Sequence, residues 1–537
     1  NISLEEKAVL RTESGLDFGS LVNINNADGT MVNSNITGGT LQATQGANGD
    51  IVLSAIAVGT AVAPSEETGA AANFAARTRT ATITTAGADA EKSLTGSSIS
   101  ARGNVDISAT ATNVNASRSI TRAAIELNGA ITGQKITVAA NASDTYDSST
   151  DTSPAGNWAG SVDGNAPWIS SYHQVKGLHD VLNVTPAYSY MDSAASVTVG
   201  KSAALTSTLA MAANHQLADD KKNPAMALTA VSSAANTVSA ANSSAAVAYA
   251  GTSSSAAVDV QGTLTAHGVI DMSAQSADTM NVKAASDGAD PTAAGTAAKV
   301  NAAIAVATGE NTATVNVGKT AKVNSAASGV YAAAAAVNTI DVASQVNANA
   351  AAVGATAVSV LDYTSDAAVT LDGQVSGPLA VAGTATNKTN HSNLTANNAL
   401  TPAAGSASQT AIEAAALDTY VKSLGTTYTG ITDKLRTAGN LLRAGAAIGI
   451  GSEKNTAAVN VGSTASLNAS AGSIDLGAST DLADTHMTAL GGLTAGQNTN
   501  GAVSSALLYA RLDNTANVGI ADGEAAGGQH AVLQAGQ

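Results

Sequence analysis

The chain nearly repeats itself: Asn311 to Tyr331 reads NTATVNVGKTAKVNSAASGVY, and Asn455 to Asp475 reads NTAAVNVGSTASLNASAGSID. Both contain a loose motif, V-x-V/L-x-G or V-x-V-G, followed a few residues on by another apolar position. It begins at Val197, Val258, Val315, Val369 and Val459, at intervals of 61, 57, 54 and 90 residues. A recurring unit of this kind cannot cover its own apolar row, so it is stable only when its neighbours stack on it. That requirement restricts the chain to repeat architectures.

Further alternating runs lie inside each unit, among them GVIDMSAQS from Gly268 and SIDLGAST from Ser473. Alternation of apolar and polar residues over four to eight positions marks a half-buried strand. Gly, Asn and Asp between the runs supply the conformations tight turns need. The N-terminal part carries the same grammar in SSISARGNVDISATAT from Ser97 and GAITGQKITVAANAS from Gly129, where Ile99, Val105, Ile107, Ile131, Ile136 and Val138 are expected to point inward. Three short strands in a coil of about twenty residues would make each interval three coils. Some twenty coils at roughly 4.8 Å would then give a rod about 100 Å long.

Composition supports a thin core. Apolar residues make up 44% of the chain but aromatics only 3%, with two Phe, so Ala and β-branched residues must supply the buried surface. Disorder is the competing reading for a chain rich in Ala, Gly, Ser and Thr, and the strand periodicity argues against it. The formal net charge of -16 repels phosphate and argues against a nucleic-acid partner. The absence of Cys suits an exported chain. No run of eighteen apolar residues offers a transmembrane segment. The chain opens without Met, which reads as a piece of a longer parent.

Two stretches break the rhythm. From 406 to 444, Ile412, Ala416, Tyr420 and Leu424, then Ile431, Leu435, Ala438 and Leu442, recur at helical spacing and predict a helical hairpin, which accounts for the 90-residue interval. From 144 to 191 the chain concentrates Trp158, Trp168, Tyr146, Tyr172, Tyr188 and Tyr190. The expected organisation is all-β: β-helix coils over 1–143, an aromatic-rich lobe over 144–191, coils over 192–405, the hairpin over 406–444, and coils over 445–537 that continue in the parent chain.

The stretches AAIAVATGENTATVNVGKTAKVNSAASGVYAAAA and AAIGIGSEKNTAAVNVGSTASLNASAGSIDLGAST resemble the large repetitive exoproteins of Gram-negative-type bacteria, in the style of fusobacterial leukotoxin-like and filamentous-haemagglutinin-like adhesins. The resemblance implies a right-handed parallel β-helix, export by a type V route through an outer-membrane barrel transporter, and display at the cell surface or secretion. Neither a secretion domain nor a barrel is visible in the sequence.

Chemistry-bearing clusters are sparse. Asp219–Asp220, Asp287–Asp290 and Asp522–Glu524 read as solvated turns, and the spacing of His173 and His179 fits no usual zinc arrangement. No G-x-S-x-G elbow or phosphate loop is present. No catalytic, cofactor-binding or metal-ligating residue is therefore expected, and no cofactor. Trp158, Trp168, Tyr172, Tyr188 and Tyr190 are the candidate partner-binding residues, because rigid aromatic rings supply contact area at low entropic cost. The leading expectation is an adhesin or filament segment that attaches to a host or bacterial surface protein or glycan, or to itself. A polysaccharide-active β-helix enzyme and a leukotoxin-like cytotoxic passenger are the alternatives.

Overall fold

The computed structural model describes residues 2–4, 9–12, 15–25, 30–36, 40–43, 49–60, 77–85, 96–148, 184–210, 217–242, 245–286, 300–348, 354–400, 445–493, 504–521 and 530–536. Among these the chain is all-β, apart from one short helix at Leu217–Lys222. Its strands form three parallel sheets, and the chain visits them in turn. One circuit runs, for example, through Ala245–Val260 on face 1, Thr263–Ala266 on face 2 and Ile270–Ser286 on face 3. The next circuit, Val300–Val317, Lys322–Ser325 and Gly329–Ala348, stacks upon it strand for strand.

The motif valines are stacking partners. Val197 pairs with Val258, Val258 with Val315, Val315 with Val369, and Val369 with Val459. Ile83 and Ile125 precede them in the same column, and Val518 follows. Face 2 carries a second column through Ile99, Ile131, Leu205, Leu264, Val323, Val375 and Leu467. Face 3 carries a third, through Ile51, Val105, Ile136, Met226, Ile270, Val330 and Val381. The members of these two columns are buried, as are all six residues expected to point inward. Each covers the one below and is covered by the one above, so burial is continuous although no residue is large.

This register corrects the coil length. Each interval of 54 to 61 residues is one coil, not three, and the 90-residue interval is also one coil, because 369 and 459 are direct partners. Among the described residues, faces 1 and 2 hold ten strands each. At about 4.8 Å per coil the stack is roughly 45 Å tall, less than half the length expected from twenty coils. The missing height reappears as width. Face 1 and face 3 strands lengthen from 9–12 residues in Arg77–Asp147 to 16–21 residues in Val184–Leu400. A strand of twenty residues spans about 65 Å. The cause is chemical. In AAVAYAGTSSSAAVDV the residues of both faces are small, so alternation continues in the backbone while the contrast between apolar and polar disappears.

Faces 1 and 3 pack on each other across the interior, and face 2 closes one end. At that end Gly129 turns the chain with φ 88°, where an added Cβ would stand 2.2 Å from the Ser97 carbonyl oxygen. The coil strands also run into the expected 144–191 lobe from both sides, as Ile136–Asp147 and Val184–Val199. The predicted hairpin at 406–444 lies outside the described residues. Asp219 and Asp220 fall in the short helix rather than in a turn.

The columns generate a direct test. Leu264→Ala should cost about 2–5 kcal/mol in chemical unfolding, whereas Thr265→Ala, one step along the same strand and facing outward, should change stability by less than about 0.5 kcal/mol.

Candidate functional site

Four positions before the face 1 valine column, a second inward column is polar throughout: Arg79, Thr121, Ser193, Ser254, Asn311, Ser365 and Asn455. All seven are buried. Face 3 answers with Asp144, Asp278, Asn338, Asn387 and Thr389. Together they form a polar seam inside the stack, with one apolar cluster toward face 2 and another toward the opposite end of the strands.

The seam is densely bonded. Asp278 accepts hydrogen bonds from the hydroxyls of Ser254, Thr252 (2.9 Å) and Tyr363 (2.7 Å). The Tyr363 hydroxyl also reaches Asn338 Oδ1 at 3.1 Å, and Asn311 Nδ2 donates to the same oxygen at 2.6 Å. One coil on, Glu453 accepts from Thr389 (3.0 Å), Ser392 (2.8 Å) and Asn455 Nδ2 (2.9 Å). At the narrow end, Asp144 accepts from Ser119 and from Thr121 at 3.1 Å.

Burial sets the protonation of this interior. Desolvation pushes the Asp144 carboxyl up to about 7 and the Asp278 carboxyl up to about 6, although the hydroxyls bonded to each lower it. Burial and the neighbouring Asp278 push the Tyr363 phenol well above its ordinary value. An acid of this kind also donates once protonated, and so can link two acceptors across coils. These side chains are sealed from solvent, so the chemistry they offer is internal bonding and proton storage.

A second group lies on the outer side of face 3, beside a register irregularity at Asn338/Thr339. There Asp484 joins two imidazoles, with His391 Nδ1 at 3.0 Å and His486 Nε2 at 2.9 Å. Asp341 stands 3.8 Å from His391 Nε2 and accepts from Asn393 Nδ2 at 2.8 Å. A bulge re-aims side chains relative to an undisturbed ladder. Here one gathers residues from three successive coils into a clasp. Among the described residues, no three His, Cys, Asp or Glu are arranged to hold a metal ion.

Of the candidate partner-binding residues, Trp158, Trp168 and Tyr172 lie outside the described residues. Tyr188 and Tyr190 belong to the face 1 strand Val184–Val199 and sit on its outer side. Tyr188 stacks on Tyr249 of the next coil, ring centroids 5.2 Å apart. Tyr249 in turn hydrogen-bonds Thr308 at 2.7 Å. The Tyr190 ring passes over Gly251, where an added Cβ would meet it at 2.6 Å. Burial, then nearby Asp192, raises the Tyr190 phenol, and Asp192 pairs with Arg122. Tyr249 was missed in the sequence because its relation to Tyr188 exists only through the coil period; the pairing Tyr188–Tyr249 follows at once from Val197–Val258.

No family model, no curated protein and no solved structure matches this chain.

The buried acids predict a pH dependence. Folding raises both carboxyls above the ordinary value of 3.8, so their protonated forms favour the native state, and stability declines as pH rises from about 4 to about 7. At 1.36 kcal/mol per pKa unit, each acid accounts for a few kcal/mol. The double variant Asp144→Asn, Asp278→Asn should flatten the decline measured by denaturant unfolding between pH 4.5 and 8, by roughly that amount. An unchanged slope would assign the dependence to other groups.

Proposed function

We propose that the chain is a segment of a bacterial surface-exposed or secreted β-helical adhesin or structural filament, whose work is to extend, to contact a partner and to associate with further coils. The β-helix is read as right-handed, in keeping with the strong preference of parallel crossovers for that hand. The parent protein would be exported by a type V route through an outer-membrane barrel, a reading that the Cys-free composition supports.

The terminal coil is the observation that carries this reading. Ser504–Ile520 ends the order of face 1 and Val532–Ala535 ends that of face 2. Residues Leu508, Leu512, Val518, Ile520, Val532 and Leu533 are 39–56% exposed. The Val518 and Leu533 positions continue the columns that are buried from Ile83 to Val459 on face 1 and from Ile99 to Leu467 on face 2. An exposed strand edge backed by an uncovered apolar row is a template for another strand. Its seventeen residues are matched in length by the long strands of this chain, which makes β-helical coils the fitting partner.

A lateral contact of a different kind is assigned to aromatic residues. Trp158, Trp168, Tyr172, Tyr188 and Tyr190 are proposed to engage a surface protein or glycan.

Two outcomes test the reading. Sedimentation should show concentration-dependent association of the chain, and Leu512→Lys with Val518→Lys should abolish it by placing charge on the open row. A wild-type chain that stays monomeric at the highest attainable concentration would remove the self-association arm. In a glycan-array and cell-surface binding assay, Trp158→Ala with Trp168→Ala should lower binding at least about tenfold with the strand signature in circular dichroism unchanged. Retention of full binding would move the contact elsewhere.

A further inference from the structure

The polar seam does not end inside the stack. On face 1 its column runs from Thr121 through Ser193, Ser254, Asn311, Ser365 and Asn455 to Asn514, each paired with the next. Every member carries a side-chain oxygen. Asn455 is buried, whereas Asn514, in the terminal strand Ser504–Ile520, is exposed. The seam therefore surfaces at the uncovered edge of the terminal coil.

The bond that leads to it has a direction. Asn455 Nδ2 donates to Asn514 Oδ1 at 3.0 Å and to Glu453 Oε1 at 2.9 Å, so both of its hydrogens are engaged. Asn514 accepts from the coil below, and among the described residues its own N–H groups donate to nothing. Along the same inward row Leu508 and Leu512 lie on one side of it and Val518 and Ile520 on the other, 41–55% exposed. One amide thus stands between two apolar stretches. Buried rows have the same order: Ala305 and Ala307, then Asn311, then Val315 and Val317.

We infer that Asn514 is the specificity-determining residue of this edge. It admits a parallel β-helical coil of another chain in one register, with a hydrogen-bond acceptor over its amide and apolar residues over Leu508, Val518 and Ile520. The inference rests on the association with further coils proposed above and supplies the partner's chemistry. Continuity with the junctions inside the stack chooses this occupant, because each of them joins two such coils by backbone pairing and an oxygen-bearing seam. Apolar rows alone would accept a partner slipped by two residues. A slipped partner would bury the Asn514 N–H groups under an apolar side chain, which lowers affinity roughly tenfold to a hundredfold. A single buried Asn fixes register in coiled coils by the same penalty. Lys or Arg in that place would set donors against donors.

Sedimentation of the full chain tests this directly. Asn514→Leu should weaken its association at least about tenfold, and Asn514→Ser, which keeps an oxygen, should stay within about threefold of wild type. Asn514 is exposed, so circular dichroism should be unchanged in both variants. A second arm uses a fluorescein-labelled peptide of residues 300–317, whose Asn311, Val315 and Val317 fall over Asn514, Val518 and Ile520 when paired in register. In fluorescence anisotropy, Asn311→Leu in the peptide should weaken binding to the wild-type chain at least about tenfold. Against the Asn514→Leu chain the order should reverse, because two apolar partners leave no amide unpaired. Association that Asn514→Leu leaves unchanged, or a peptide preference that does not reverse, would overturn the inference while the association reading stands. A chain that neither associates nor binds the peptide would remove that reading, and the inference with it.

Discussion

Parallel stacking in register is the constraint from which the rest follows. A residue in a coil is paired above and below with residues one coil away, so the chemistry of each position bears directly on the same position in the neighbouring coils. Face 2 states this most simply: its inward column is Ile, Leu or Val in every coil from Ile99 to Leu467. Small and branched side chains suffice because cover comes from the adjacent coils rather than from a thick core. The same rule forces glycine at 251, where the Tyr190 ring from the previous coil occupies the space of a side chain.

Apolar columns alone specify depth poorly. Much of the wide interior is Ala against Ala, as in Ala246, Ala248 and Ala250, and a two-residue slip of such a strand would change little. The polar seam supplies the missing discrimination. A slip that moved Asp278 away from Thr252, Ser254 and Tyr363 would leave a buried acid without partners, which is far costlier than exchanging one Ala for another. On this view the seam is a register key placed midway along the strands, between two cores that could otherwise slide.

What the sequence disclosed and what it hid divide along the same line. Ile99, Val105, Ile107, Ile131, Ile136 and Val138 were legible as inward because large apolar residues alternate there with polar ones. The coil period was already present in the intervals, but strand length was not, because runs such as AAVAYAGTSSS carry no contrast between faces. Asp278 was within reach: it shares parity with Ile270, Met272 and Ala274 and is therefore inward. The clasp of Asp341, His391, Asp484 and His486 had no local signal, since its members come from three coils and meet at an irregularity of register. The tyrosine stack was half legible, through Tyr188 and Tyr190, and completed only by the partner one period away.

The widening of faces 1 and 3 from about ten to about twenty residues gives the molecule a mechanical polarity. Tension along the stacking axis passes through every coil in series, and each junction resists in proportion to the strand length that holds it. The junctions around Arg118–Leu127 hold by roughly half as many backbone bonds as those around Gly354–Leu371. Under load, peeling would begin at the slender N-terminal rungs while the broad ones stayed intact, like a tapered fuse set at one chosen end.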